Sequence, residues 1–302
     1  METTSPDMPS QQMPIMIRDI DLISQIRQVE ELQIEVWGFS DRDVVPADQL
    51  MVAKEVGGLL IGAFAGKTLV GFAYALLSIE RDRPQFHSHM LAVKSDYRNL
   101  GLGYKLKLAQ RERALARSIT RMTWTFDPLQ CMNAHFNIAK LGVVSDRYKI
   151  NFYGESTSSF LHRHGTDRLW ATWHLDSARV CQRLRAGIVG EAVPARLDEC
   201  TRLVQLGSDD APHGVDSAQG TGQRHVLIEI PEDIGTLELR DSSLAVAWRE
   251  VTRLAFTTSL AAGYVVEEFR KVNRGPKRVG IYMLVRKQES DDLTTQSSTN
   301  VH

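Results

Sequence analysis

Two histidines separated by one residue, His87 and His89, have the spacing and the chemistry to move a proton near neutral pH. A free imidazole has a pKa of about 6.5, so it can both accept and release a proton close to pH 7. Positions i and i+2 of a strand project from the same face of a sheet, so the two rings could act on one bound group. The alternative is structural, with both rings simply lining a half-exposed strand.

A loop containing two glycines follows these histidines. Arg98, Gly101 and Gly103 lie between a predicted strand and a predicted helix, where backbone N–H groups and the helix dipole together favour an anion. Glycine lets the main chain approach a phosphate closely, and an arginine can add a charge-assisted hydrogen bond. Two glycines before a helix also occur in ordinary turns. A dinucleotide site is not predicted, because Leu106 occupies the third glycine position of that motif.

The elements that would carry these residues are indicated by the spacing of apolar side chains. In the first half of the chain we predict strands at 15–19, 59–65, 69–78, 87–93, 121–126 and 170–174, and helices at 20–37, 102–117 and 133–140. In the second half we predict a helix at 178–184, a loop or linker at 207–223, strands at 225–230, 237–240, 264–269 and 280–286, and a helix at 244–262. The predicted fold class is therefore α/β (α+β).

The composition argues against several classes of protein. The chain has 302 residues, with 36 Lys and Arg against 37 Asp and Glu. Such a balance offers no overall attraction for nucleic acid or an anionic membrane, so neither is predicted as a partner. The three cysteines have neither paired nor metal-ligand spacing, so no metal is predicted. The basic residues after the glycine loop are most simply a solvated helix face: Lys105, Lys107, Arg111, Arg113 and Arg117.

The sequence carries no pattern that is typical of a membrane or secreted protein. The apolar stretch 56–79 is interrupted by Gly66 and Lys67, so two strands joined by a hairpin explain it better than a membrane helix. The N-terminus lacks the basic region and apolar run of a secretion signal, and the predicted location is the cytoplasm. The polar stretches 1–14 and 288–302 are predicted to be disordered tails.

The strand and the loop together resemble the signature of the GCN5-related N-acetyltransferase (GNAT) family. His87-Ser88-His89-Met90-Leu91-Ala92-Val93 is followed by Tyr97-Arg98-Asn99-Leu100-Gly101-Leu102-Gly103, and the family has a strand followed by R/Q-x-x-G-x-G/A at a helix start. The order of the surrounding elements agrees over about residues 15–175. The stretch 123–142 also resembles a bacterial group of predicted acetyltransferases. The family resemblance implies a mixed, mostly antiparallel central sheet flanked by helices.

The resemblance also implies a co-substrate, acetyl-CoA or another acyl-CoA. Its pantetheine arm would lie along the strand that ends near Val93, with backbone hydrogen bonds from Leu91 and Val93. Its diphosphate would lie on the loop and the first turn of the helix, formed by Arg98, Asn99, Leu100, Gly101, Leu102, Gly103 and Tyr104. The Asn133 side chain is a further candidate contact, although Asn133 could equally be a helix N-cap.

Acyl transfer to an amine requires a base, because a protonated amine has no lone pair to attack a thioester. His87 and His89 are the candidates. Many family members protonate the departing thiolate with a tyrosine, but this chain has Asn137 at the corresponding position. Tyr148, Tyr153 or bulk water could replace it, and we take Tyr153 as the candidate acid.

Asp127 follows a predicted strand and could hold a cationic acceptor, although an Asp-Pro pair also forms turns. Cys131 is not expected to be a nucleophile, because direct transfer needs no covalent intermediate.

The remaining residues extend beyond one such domain. We predict an acyl-CoA-binding domain at 15–178, a connecting helix and linker at 179–223, and a smaller α/β domain at 224–287. The last of these could be a degenerate GNAT-like half that completes the acceptor pocket or forms a homodimer surface. Its basic turn at 270–278 is most simply a solvated hairpin.

The predicted function is acyl transfer from acyl-CoA to a small-molecule or protein amine. The alternatives are a catalytically silent acyl-CoA-binding or partner-binding scaffold, and another acyl-CoA reaction such as decarboxylation or O-acylation.

Overall fold

The computed structural model describes residues 14–154, 165–186, 197–214, 222–275 and 277–287. The predicted tails fall almost entirely outside these ranges, as does part of the predicted linker. The chain forms two compact units, Met1–Ser118 and Ile119–His302, and each is described by itself. No described helix is long and apolar enough to cross a membrane.

The first unit consists of four strands and three longer helices among its described residues. In chain order they are β1 (Ile15–Asp19), α1 (Ile23–Trp37), α2 (Ala47–Glu55), β2 (Leu59–Ala65), β3 (Thr68–Glu80), β4 (Arg83–Val93), a 3-10 turn (Ser95–Tyr97) and α3 (Leu102–Leu115). Each strand pairs antiparallel with the next. Arg81 and Asp82, both with positive φ, form the tight turn that joins β3 to β4.

Helices cover both faces of the strands in this unit. On one face, α1 and α2 bury an apolar cluster that includes Phe72, Tyr74 and Met90. On the other face, α3 packs Leu102 and Leu106 against β2 and β3. Burying these side chains supplies the main stabilisation of the unit, and the two clusters fix β4 and the N-terminus of α3 in place.

The second unit contains the remaining elements. In chain order they are β5 (Arg121–Phe126), α4 (Cys131–Ala134), a π-helical turn (His135–Lys140), β6 (Tyr148–Lys149), β7 (Arg168–His174), α5 (Ala178–Ala186), a 3-10 turn (Leu197–Glu199), β8 (Thr201–Leu206), β9 (Pro212–Gly214), β10 (His225–Pro231), α6 (Ile234–Arg240), α7 (Ser242–Ala261), β11 (Tyr264–Arg274) and β12 (Lys277–Arg286). β7 pairs antiparallel with both β5 and β6. A sheet of five described strands has the order β11-β12-β10-β8-β9.

The predicted fold class is confirmed, because helices pack on the antiparallel strands of the first unit and the second unit combines helices with a sheet of five described strands. Residues 237–240, predicted as a strand, instead lie in α6. Asp233 caps this helix by accepting a hydrogen bond from the backbone of Thr236, and such capping favours a helix over an extended chain. The sequence reasoning missed α2 and β8, and the stretch predicted as a loop at 207–223 contains β9.

Candidate active site

A β-bulge in β4 determines which face each candidate residue occupies. Tyr74 pairs with Met90 and Ala75 pairs with Ser88, so His89 is the extra residue. Before the bulge, His87 pairs with Leu76, which packs on the cluster under α1 and α2. After the bulge, Leu91 and Val93 pack on the cluster under α3. The bulge therefore separates the histidines from Leu91 and Val93, which strict alternation would place on one face.

His89 lies at this bulge with its side chain exposed. Its ring lies edge-on to Tyr74, with 6.0 Å between the ring centroids. Desolvation by the neighbouring packing lowers the pKa of His89 below the ordinary imidazole value. A lowered pKa keeps the ring neutral at pH 7, which is the form that can accept a proton. His87 is half-buried.

The predicted phosphate loop begins directly after β4. Asn99 and Gly101 both have positive φ, and Gly101 is the N-cap of α3. No described side chain caps the helix, and a Cβ at Gly101 would meet no atom of the described residues within 4 Å. Arg98, Asn99 and Leu100 are exposed. The first turn of α3 thus presents backbone N–H groups toward open space, and the absence of a Cβ leaves room for a diphosphate.

Leu91 and Val93, which were predicted to hold the pantetheine arm, lie at the end of β4 beside this loop, and that role stays a prediction. Leu91 pairs with Ala73 and Val93 pairs with Gly71, and both side chains are half-buried. A Cβ on Gly103 would touch the Leu91 side chain at 3.6 Å, so the start of α3 lies close to β4. Strand, loop and helix therefore form one continuous surface within the first unit.

One basic side chain on α3 is not on the solvated face that we predicted. Lys107 is 4% exposed, and its Nζ donates to the Ser88 hydroxyl at 2.9 Å, which in turn donates to Gln110. Desolvation lowers the pKa of Lys107 well below the usual lysine value. The prediction was wrong here because a helix with few large apolar residues uses the Lys107 stem to cover the sheet.

In the second unit, Asp127 follows β5 and is held by an arginine from the C-terminal part of the chain. Both oxygens of Asp127 accept hydrogen bonds from Arg249 of α7, at 2.7 and 2.8 Å. The backbone N–H of Leu129 also donates to the carboxylate, as expected of an Asp-Pro turn. Arg249 thus already neutralises the Asp127 carboxylate, whose negative charge was predicted to hold a cationic acceptor.

A second ion pair lies one helical turn further along α7. Arg253 donates through two nitrogens to Asp167, which is fully buried and precedes β7. Burial alone would raise the pKa of Asp167, but hydrogen bonds from Arg253, from the backbone of Asn151 and from Tyr148 hold it below its usual value. The two arginines, spaced i and i+4, therefore hold two loops of the second unit through side-chain hydrogen bonds.

These contacts distinguish the two candidate tyrosines. The Tyr148 hydroxyl donates to Asp167 at 2.7 Å, and burial together with that carboxylate raises the pKa of Tyr148 strongly. Tyr148 is therefore a poor proton donor. Tyr153 is exposed, and its hydroxyl lies 3.4 Å from the Thr125 hydroxyl. The guanidinium of Arg168 lies 5.2 Å from the centre of the Tyr153 ring. The choice of Tyr153 as the acid stays a prediction.

The predicted helix at 133–140 differs in its details. It begins at Cys131 with Gln130 as the N-cap, so Asn133 is not the cap that the sequence reasoning left open. Asn133 is exposed on α4, and its candidate role as a cofactor contact stays a prediction. Asn137 lies in the π-helical turn, where its side chain is buried and accepts a hydrogen bond from the Trp124 indole at 3.2 Å. π-helical turns are frequent at functional sites.

Two further features bear on the chemistry. Burial raises the pKa of the Cys131 thiol, which disfavours a thiolate nucleophile. Among the described residues, no group of His, Cys, Asp and Glu side chains could hold a metal ion. The ion-paired residues that sequence reasoning missed are Arg249, Arg253 and Asp167. The spacing of the two arginines, i and i+4 on one predicted helix, was the available signal, but their partners are far away in sequence.

The bulged strand, the glycine loop and the N-terminus of α3 follow one another in the first unit. Residues 23–136 match the model of the Acetyltransferase (GNAT) family. The chain therefore contains a GNAT acetyltransferase domain, with a further C-terminal region beyond the match. The resemblance inferred from strand and loop is confirmed for these residues.

Other comparisons concern known sequences and solved structures. No curated protein sequence matches the chain significantly. The ribosomal-protein-S18-alanine N-acetyltransferase from Escherichia coli is 13% identical, with a TM-score of 0.44, over 55% of this chain and 96% of that chain. Aminoglycoside 6'-acetyltransferase type Ii is 18% identical, with a TM-score of 0.44, over 54% and 98%. The PaiA N-acetyltransferase from Thermoplasma acidophilum, solved with coenzyme A, is 19% identical, with a TM-score of 0.40, over 54% and 99%.

Proposed function

We propose that this protein transfers an acyl group, most simply acetyl, from acyl-CoA directly to the amine of a small molecule or a protein. The observation that carries the proposal is the N-terminus of α3, which follows a bulged His-x-His strand and presents uncapped N–H groups at a glycine with open space around it. The GNAT domain match over residues 23–136 supports it.

In this proposal the first unit binds the acyl-CoA. The loop and first turn from Arg98 to Tyr104 hold the diphosphate through backbone N–H groups, with Arg98 adding a charged contact. Leu91 and Val93 donate and accept backbone hydrogen bonds along the pantetheine arm. Asn133 is a further proposed contact. Acyl-CoA serves as co-substrate, and its thioester supplies the acyl group.

Proton transfer is assigned to three residues, His87, His89 and Tyr153. The neutral imidazole of His89 removes a proton from the acceptor ammonium, which frees the lone pair that attacks the thioester; His87 assists from the same strand. The departing thiolate takes a proton from Tyr153 or from water, which is feasible because a thiol pKa of about 8.5 makes it a good leaving group. Asp127, already paired with Arg249, contributes hydrogen bonds rather than net charge to the acceptor.

Cofactor binding is tested by thermal shift with a series of acyl-CoAs and two matched glycine variants. Gly101 and Gly263 both have positive φ, and a Cβ at either position would meet nothing within 4 Å. Gly101→Ala and Gly263→Ala therefore carry a similar backbone strain of about 1 kcal/mol. We expect Gly101→Ala to lose the thermal shift that acyl-CoA gives the wild-type protein, whereas Gly263→Ala retains it. No shift of the wild-type protein with any acyl-CoA contradicts the proposal.

Catalysis is tested by thiol release across a library of amines. The double variant His87→Ala/His89→Ala should lose at least about 100-fold in turnover, the usual contribution of a general base. His213→Ala removes an exposed histidine of the second unit and serves as the control. Full turnover by the double variant would remove the histidines from the mechanism and leave the cofactor site intact.

One observation favours a second candidate function. Asn137 occupies the position of the family's acid, and it is buried and bonded to Trp124. This arrangement is compatible with acyl-CoA binding without turnover. Acyl-CoA-dependent thermal shifts with no thiol release for any acceptor would establish that function, and mass spectrometry of the products from malonyl-CoA would reveal a decarboxylation.

A further inference from the structure

The hydroxyl of Tyr74 is a buried polar group that finds no hydrogen-bond partner among the residues that the structure describes. Tyr74 lies in the middle of β3 and is 1% exposed. Tyr74 belongs to the apolar cluster under α1 and α2, which also contains Phe64 and Phe72. A phenylalanine would fill the same space without leaving an oxygen unpaired. Burying an unpaired hydroxyl costs free energy, so its presence calls for a partner that arrives from outside.

Tyr74 also stands beside the bulge that carries His89. Tyr74 pairs in register with Met90, the residue that follows the extra residue of the bulge. The ring of His89 lies edge-on to the Tyr74 ring, 6.0 Å away. His89 is exposed whereas Tyr74 is buried, so the two rings connect the surface at the bulge with the interior of the first unit. The two side chains make no hydrogen bond to each other among the described contacts.

We propose that the Tyr74 hydroxyl is an acceptor-binding group of the active site, and that its missing partner is the ammonium group of the acceptor. The inference rests on the proposed function. The phenolic oxygen accepts a hydrogen bond from the ammonium and holds it beside His89. One N–H bond of the ammonium breaks, an N–H bond forms on the His89 imidazole, and the electron pair stays on the amine for attack on the thioester. Tyr74 keeps its own proton throughout.

The burial of Tyr74 agrees with these separate roles, in which Tyr74 binds the ammonium and His89 takes its proton. Desolvation raises the pKa of Tyr74 above the ordinary tyrosine value, so the group stays neutral and acts as a hydrogen-bonding group rather than a base. Desolvation lowers the pKa of His89, which leaves the imidazole free to take the proton. A buried hydroxyl also discriminates strongly between ligands, because an acceptor without a matching N–H leaves it unpaired.

The test removes the hydroxyl alone with Tyr74→Phe. The matched control is Tyr282→Phe, because Tyr282 is also fully buried but donates to the Pro128 carbonyl at 2.7 Å. We expect Tyr74→Phe to melt at or above the wild-type temperature and Tyr282→Phe to melt below it. With the best amine from the library, we expect kcat/KM for the amine to fall at least ten-fold in Tyr74→Phe, with KM for acyl-CoA unchanged.

Three outcomes overturn the inference. Turnover of Tyr74→Phe within two-fold of wild type shows that the hydroxyl does not touch the acceptor. A loss of melting temperature equal to that of Tyr282→Phe shows that the hydroxyl already has a structural partner. Equal rises of KM for the amine and for acyl-CoA show a general distortion. If the wild-type protein acylates no amine, the proposed function fails and the inference fails with it; if only the variant comparison fails, the proposed function stands.

Discussion

Replacing Arg249 by methionine should lower the stability of the second unit more than any change to an exposed ion pair does. The side chains of Arg249 and Asp127 are only 8% and 12% exposed, and two nearly parallel hydrogen bonds join them. Removing one partner of a buried pair leaves the other charge without compensation, which typically costs 3–5 kcal/mol. Leu129 still donates to Asp127, so we expect the lower end, about 3 kcal/mol.

A double-mutant cycle separates the pair from the packing around it. Asp127→Asn keeps an oxygen for the Leu129 N–H but removes the charge. The double variant Asp127→Asn/Arg249→Met should therefore lose less stability than the two single variants lose together, with a coupling energy of about 2 kcal/mol. Arg249→Lys keeps the charge but cannot make two parallel bonds, so it should recover only part of the loss.

Urea unfolding followed by tryptophan fluorescence is the appropriate assay. Four of the five tryptophans, Trp124, Trp170, Trp173 and Trp248, belong to the second unit, so the signal reports mainly on that unit. Arg240→Met is the control, because Arg240 pairs with Asp210 while 59% exposed, and such pairs contribute at most about 1 kcal/mol. A loss below about 1 kcal/mol for Arg249→Met, or a coupling energy near zero, would refute the reasoning.

The remaining predictions concern charge, burial and the C-terminal region. Because folding lowers the pKa of Lys107, the wild-type free energy of unfolding should rise as the pH rises toward the ordinary lysine pKa of about 10.4, by at most about 1.4 kcal/mol per pH unit from this group, and urea unfolding of Lys107→Met should lack that slope. The pKa of Asp167 is lowered on folding, so its stabilisation is present above about pH 4 and is lost as the pH falls further; the difference in melting temperature between wild type and Asp167→Asn should shrink on acidification. Asn137→Ala should lose about 1–3 kcal/mol in urea unfolding, because the buried Trp124 indole loses an acceptor. A fragment of residues 1–178 should show no cooperative fluorescence transition in urea, and a sharp one would contradict the role given below to α7.

The parts of the fold that could be predicted are those that depend on the residue pattern within a short stretch of sequence. The strand predicted at 87–93 lies within β4, and the helix predicted from Leu102 begins there, because apolar spacing and a glycine at the helix start are visible in a short window. The bulge at His89 left no such trace, since one extra residue changes the face of its neighbours without changing their type. The glycine loop was found, whereas the orphan hydroxyl of Tyr74 was not.

Side chains that pair across the fold were beyond reach for a different reason. Lys107 looks like any basic residue of a surface helix, and only the packing of α3 on the sheet shows that its amine is buried. Arg249 and Asp127 are 122 residues apart, and the local sequence around one gives no indication that the other is its partner. The sequence therefore indicates which chemistry is present at the loop and the strand, but the contacts that hold the loops of the second unit depend on tertiary structure.

The C-terminal region is structurally inseparable from the second half of the acyl-CoA-binding region predicted from the sequence. Arg249 and Arg253 of α7 neutralise carboxylates that precede α4 and β7. The Tyr282 hydroxyl donates to the Pro128 carbonyl beside one of them. Without α7, both carboxylates would lose the arginines that neutralise them and would keep only their hydrogen bonds from Leu129, Tyr148 and Asn151, and a carboxylate without its charge partner is costly to bury. The region beyond the family match therefore completes the unit that carries Asp127 and Tyr153, rather than adding an independent module to it.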